Sequence, residues 1–219
     1  LEVSNSQIDN HQSAGIFSTG PIIVQASTLE QNQGGGIVSK GRVHVTDSRL
    51  VDNPSFARLE GGGGAVLSSG DILIERSLLA DNSAENLSSE LGRHFGDGGA
   101  VNGRNVIIRD STLANNRTRR QGGGVAAQHD LVIENSTISA NYGESDCGAA
   151  IAETITLRSS TVVGNYAERH GGLCGSITLE NSIVASNSGG RTPDIFGRLV
   201  ARNSLVGDIG TDQDTDVRE

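Results

Sequence analysis

Acids, imidazoles and guanidiniums gather in a few short segments of this 219-residue chain. Asp97, Glu144, Asp146 and Glu168 supply carboxyls, His94 and His170 supply imidazoles, and Arg93, Arg117, Arg119, Arg120 and Arg169 supply fixed positive charge. Glycosidic-bond hydrolysis needs two carboxyls about 5–10 Å apart, one to protonate the leaving oxygen and one to attack or to activate water. With arginines and imidazoles among them, such residues could bind and cleave an acidic glycan. Whether they can meet depends on the elements that carry them.

Those segments all interrupt a repeat at one point. Taking the Ser of "ENSTISAN" as an anchor, equivalent serines stand at Ser6, Ser27, Ser48, Ser77, Ser111, Ser136, Ser160, Ser182 and Ser204, a period of about 22 residues with insertions. Two residues on is an aliphatic, from Ile8 and Leu29 to Val184 and Val206. Five residues on stands Asn32, Asn53, Asn82, Asn116, Asn141, Asn165 or Asn187, a rule that fails only in the end units. An alternating apolar stretch precedes each anchor, as in "VHV", "LVIE" and "ITL". Before it comes a glycine-rich entry with an apolar residue at Ile37, Val66, Val101, Val125, Ile151 or Leu173.

No single unit can bury its own apolar face. Stacked as turns of a coil about 4.8 Å apart, the units pair strand on strand and put like residues over like. The sequence therefore predicts an all-β, single-stranded right-handed parallel β-helix of about nine coils with three short strands each, spanning 1–207, with an acidic tail at 208–219. The asparagines are expected to form a ladder inside one bend, satisfying turn backbone that would otherwise be buried unpaired. Glycines suit the other corner, and Asn5, Asn135, Asn181 and Asn203 suit a left-handed bend before the anchor.

The segments "GGGI", "GGGGAV", "GGAV" and "GGGV", with "LEQN", "LVDN", "LADN", "LANN" and "ISAN" after them, resemble the GGA(I/V) and FxxN repeats of polymorphic outer-membrane proteins and related bacterial right-handed parallel β-helix proteins. "ENSIVASNSGGRTPDIFGRLVARNSLVGD" (180–208) is similar to the closing coils of secreted choice-of-anchor β-helix proteins. The resemblance implies the β-helix and a secreted or cell-surface setting. It implies no activity, because the shared residues are those that build the coil.

Every substantial insertion falls between the Asn and the next glycine run, so 83–98, 117–121, 142–147 and 166–170 emerge on one edge of the rod. Arg58, Glu60 and Glu90 belong to the same edge. Stacked loops can wall a cleft, and a polysaccharide lyase, a glycoside hydrolase or a noncatalytic glycan binder could use it. Charged loops are more often simply solvated, and the signatures of polygalacturonases, pectate lyases and alginate epimerases are absent. "PDIFG" (193–197) reads as coil closure. His129 and Asp130 read as a hydrogen-bonded turn pair rather than an acid and base. The reading preferred is a nonenzymatic structural, adhesive or assembly module, with glycan or cell-surface ligands as possible partners.

Other features bound the reading. A net charge of −9 argues against nucleic acid, and no apolar run is long enough to span a bilayer. No metal motif is present; the tail aspartates Asp208, Asp212, Asp214 and Asp216 are only a bare possibility for calcium, lacking an EF-hand spacing. A Cys147–Cys174 bridge is geometrically conceivable and left open. The chain opens in mid-coil and shows no amphipathic cap, so further coils of a longer chain or end-to-end self-association are expected.

Overall fold

The computed structural model describes residues 1–56, 62–85 and 97–209, together with the backbone of Val217–Arg218. Among these residues there is no helix, and every pairing between named strands is parallel. The chain winds as a β-helix. Its third strands, from Gln7–Asp9 through Thr112–Ala114 to Leu205–Val206, stack as a nine-stranded sheet. First and second strands share a sixteen-stranded sheet, because two late coils run them together as Ala150–Arg158 and Leu173–Glu180. Val217–Arg218 pairs in parallel with Leu199 and Val200, carrying the ladder into the segment expected as a tail.

Alternation sets the core. In Ile72–Glu75, Val106–Arg109 and Asp130–Glu134 the residues at every second position are buried, and the register places Val45, Ile74, Ile108 and Ile133 in one interior column. Leu50, Leu79, Leu113 and Ile138 form the next column. All are completely buried, and each contributes roughly 1.5–3 kcal/mol against water. In the entry column the expected Ile151 is displaced. Ala150 pairs with Val125 and with Leu173 in the core, while Ile151 faces outward and is half-buried. The glycine corner fixes this register: a Cβ on Gly123 would lie 2.2 Å from the carbonyl oxygen of Gly148, so these two residues must stack.

Two side-chain ladders tie the coils. Each anchor serine from Ser27 to Ser204 accepts a hydrogen bond from the backbone N–H of the serine one coil earlier, at 3.1–3.2 Å, with Ser6 as the first donor. Its own hydroxyl donates to the carbonyl two residues before it, as Ser111 does to Arg109 at 2.6 Å. The asparagines do the same in the next bend. Asn82 Nδ2 donates to Asn116 Oδ1 at 3.0 Å, and Asn116 Nδ2 to Asn141 Oδ1 at 2.9 Å and to the Leu79 carbonyl at 3.0 Å.

Both bends are left-handed. The residue before every anchor serine has φ near +47°, whether it is Asn135, Arg76 or Ala26, and the residue before the asparagine repeats this at Asp52, Asn115 and Ala140. The second left-handed column was not expected. A further departure follows it: five coils add a two-residue strand after the asparagine, from Pro54–Ser55 to Tyr166–Ala167, forming a five-stranded sheet of their own. The expected loops at 117–121, 142–147 and 166–170 thus begin as sheet.

Candidate functional site

The short fourth strands present one residue outward and bury the next, so Thr118 and Ala167 point inward while Arg117, Tyr142 and Tyr166 stack on the surface. The Arg117 guanidinium sits 5.0 Å over the Tyr142 ring, and the two tyrosine rings lie 5.4 Å apart. Sequence reading passed over this column. Its signal was the Tyr that follows both Asn141 and Asn165.

Past these strands the chain turns the corner toward the glycines, and a polar column lies beneath the edge. Asp97 is buried; its Oδ1 accepts the Gly62 N–H at 3.1 Å and its Oδ2, without a hydrogen bond, lies 3.9 Å from Arg120 Nε. Burial pushes this carboxyl above the usual carboxylate range, against the opposing pull of the Gly62 N–H and Arg120. One coil on, Gln121 pairs with Asp146. Asp146 Oδ2 accepts from Gln121 Nε2 at 3.4 Å and from Arg169. Its Oδ1 lies 3.7 Å from Nε2 of the buried His170, whose Nδ1 meets the Thr192 hydroxyl and whose ring stacks on Phe196 at 4.0 Å. A disulfide joins Cys147 to Cys174, with Cα atoms 5.8 Å apart, and holds the corner beside these residues.

Thr192, His170 and Asp146 stand in the order of a hydroxyl, a base and an orienting acid. The threonine has no exposed surface and the histidine is 5% exposed, so the hydroxyl offers no face to a substrate. The four described carboxyl candidates also divide. Asp97 and Asp146 are buried and two coils apart, about 10 Å along the rod, whereas Glu144 and Glu168 are exposed. The four described candidate arginines are engaged within the chain: Arg119 lies 3.6 Å from Glu85, Arg120 faces Asp97, Arg169 holds Asp146 and Arg117 covers Tyr142. Arg93 and His94 lie outside the described residues, as do Arg58, Glu60, Glu90, Asp212, Asp214 and Asp216. Asp208 is exposed at the end of the described coils, where its N–H donates to Asp194. No group of three metal-binding side chains occurs among the described residues.

His129 and Asp130 bond across coils rather than to each other. His129 Nδ1 lies 3.1 Å from Glu153, and Asp130 accepts from Thr154. A second charged array was overlooked. From the fourth coil on, the residue two before the anchor serine reads Glu75, Arg109, Glu134, Arg158, Glu180 and Arg202, and the register stacks these outward on the second strands. Arg109 lies 2.8 Å from Glu134 and 3.8 Å from Glu75; Arg158 lies 2.9 Å from Glu134 and 3.3 Å from Glu180. Hydrogen bonds from Arg109 and Arg158 hold the Glu134 carboxyl below its usual range.

A family model described as a right-handed β-helix region matches residues 1–165, the stretch that carries most of both ladders. The chain belongs to the right-handed β-helix family. Membership accounts for the coil architecture, and it assigns no chemistry to the loop edge. No curated protein and no solved structure matches the chain. No helix among the described residues is long and apolar enough to cross a membrane.

Proposed function

We propose that this β-helix is a nonenzymatic structural module of a secreted or cell-surface protein, serving adhesion or assembly. The observation that carries this reading is the state of the described loop edge: its two buried acids, Asp97 and Asp146, are held by Arg120 and Arg169 rather than facing each other as a catalytic pair. The Cys147–Cys174 disulfide supports an oxidising compartment outside the cytosol. The resemblance of the glycine and asparagine repeats to those of polymorphic outer-membrane and choice-of-anchor proteins points the same way. Partly buried apolar residues at the two ends of the described coils, Val3 and Ile8 at one and Val206 and Ile209 at the other, suit contact with further coils or another chain.

Incubation with a panel of uronate-containing and neutral polysaccharides tests the proposal. The expected result is no product; turnover abolished by Asp146→Asn would establish a lyase or hydrolase instead. The exposed Tyr166 beside Tyr142 and Arg117 favours one second reading, a noncatalytic glycan binder. Glycan-array binding that is lost in Tyr166→Ala, without turnover, would support it.

A further inference from the structure

We propose that the outer face of the second-strand sheet pairs with the same face of a second copy of this chain, the two rods running antiparallel. This surface is separate from the loop edge and from the rod ends, so the proposal stands whether or not the edge binds a glycan.

The charge order carries the inference. After the uncharged Ser4, Gln25 and Thr46 of the first three coils, this column reads Glu75, Arg109, Glu134, Arg158, Glu180, Arg202, a charged stretch of three acids and three bases in strict alternation. An alternating column with an even number of rungs is its own complement when reversed. A two-fold axis along the strands, passing between the coils of Glu134 and Arg158, sets Glu134 against Arg158 of the second copy, Arg109 against Glu180 and Glu75 against Arg202. Each charge keeps its in-chain neighbours and gains one of opposite sign, turning a line into a checkerboard. A parallel pairing would face every charge with its own copy, and a slip of one coil would oppose like charges throughout. Like-charge juxtaposition disfavours both strongly.

The neighbouring columns agree with this single register. On the core-entry side of the sheet the same axis opposes Asp71 and Arg198, because Asp71 stands directly before Ile72 and Arg198 directly before Leu199. Between that flank and the charged column runs a mixed one, with Leu73, Ile107 and Val132 half-buried, Val200 exposed, and Thr156 and Thr178 placed to face Val132 and Ile107 of the second copy. Here Leu73 meets Val200 of the second copy, so exposed aliphatic surface is covered where the charges fix the orientation. The face is about 25 Å tall and four residues, or about 13 Å, wide, which gives roughly 650 Å² over the two copies and a weak, concentration-dependent dimer.

Sedimentation of the whole chain over a wide concentration range tests this, with circular dichroism confirming that each variant folds. The wild type should show a monomer–dimer equilibrium that weakens with added salt. Arg158→Glu and Glu134→Arg should each raise the dissociation constant about tenfold or more, since each homodimer then contains two like-charge contacts. Mixed in equal amounts, the two variants should associate again, because Glu at 134 and Glu at 158 of one chain then meet Arg at 158 and Arg at 134 of the other. If the charges serve only to tether neighbouring coils within one chain, the mixture associates no better than either variant alone, and the proposal is overturned. A wild type that stays monomeric at all concentrations overturns it as well. Should either variant fail to fold, Arg109→Glu and Glu180→Arg form a second complementary pair with the same expected outcomes.

Discussion

The carboxylate of Asp194 closes the asparagine ladder: its Oδ1 lies 2.7 Å from the side-chain nitrogen of Asn187 and 2.9 Å from the backbone nitrogen of that residue. Its Oδ2 accepts the Asp208 N–H at 2.6 Å. The ladder is polar, since every rung offers an oxygen to the coil before it and an NH2 to the coil after. A last rung needs acceptors alone, and an aspartate has only acceptors. The carbonyl that a further asparagine would have bonded, that of Val184, keeps its ladder bond from the Gly207 N–H at 2.9 Å.

Removing this cap should therefore be costly. Asp194→Ala leaves two donors of Asn187 and one of Asp208 without their acceptor, and is expected to lower stability by about 2–3 kcal/mol. Asp194→Asn keeps one oxygen for Asn187 but brings an NH2 to face the Asp208 N–H, so its loss should be smaller. Urea unfolding of the two variants compares them. Equal losses would mean that packing at this corner, rather than the acceptor pair, sets the stability.

The coil and its asparagine column were legible because one residue type recurs at one spacing. Ser111 and its equivalents were just as regular, yet a serine shows only position in a sequence; that its oxygen receives the N–H from the coil before is a fact of stacking. The ladder of Glu75 to Arg202 escaped for the opposite reason, since its residues recur at one spacing but alternate in type. At the loop edge the insertions of unequal length hid which side chains meet. Asp97 and Arg120 are neighbours across one coil, as are Asp146 and His170, and no spacing common to all units marks them. The disulfide stayed open in the sequence because Cys147 and Cys174 occupy different points of their coils; the left-handed turn at Cys147 brings them together.

The disulfide closes a loop with a sequence separation of 27 residues. Restricting the unfolded chain over that length contributes about 3.5 kcal/mol in the chain-entropy model. Cys147→Ala with Cys174→Ala should lower the midpoint of chemical unfolding accordingly, and reductant should have the same effect on the wild type and none on the double variant. An unchanged midpoint in the double variant would show that the stacked corner alone fixes these coils.

Ala26 and Ala140 hold left-handed backbone, with φ of 46° and 53°, at positions where sister coils carry Asn5, Asn135, Asn10 or Asn115. An alanine there pays roughly 1–2 kcal/mol in steric strain that asparagine reduces by local hydrogen bonding. Ala26→Asn and Ala140→Asn are each expected to stabilise by about 0.5–1 kcal/mol and, being remote in the coil, to act additively. Thermal unfolding of the single and double variants measures both points; a destabilised single variant would contradict the strain account.

Two carboxyls should respond to pH in opposite senses. The folded-state pKa of Glu134 is depressed by its hydrogen bonds to Arg109 and Arg158, so its contribution is complete above the unfolded value of 4.5 and is lost as pH falls through the lower folded value. Glu134→Gln should accordingly flatten the acid side of the stability profile. Asp97 is raised above 3.8 by burial, so the folded state binds its proton more tightly than the unfolded state does. Its contribution is fully present below 3.8 and declines as pH rises through the folded value, leaving a buried charge that Arg120, 3.9 Å away, compensates only in part. Asp97→Asn retains an oxygen for the Gly62 N–H and removes that charge, so it is expected to be neutral or stabilising by about 1 kcal/mol at neutral pH, with no gain in acid. Chemical unfolding as a function of pH separates the cases: a large loss at neutral pH in Asp97→Asn would show instead that the ionised carboxylate and Arg120 form a net stabilising pair.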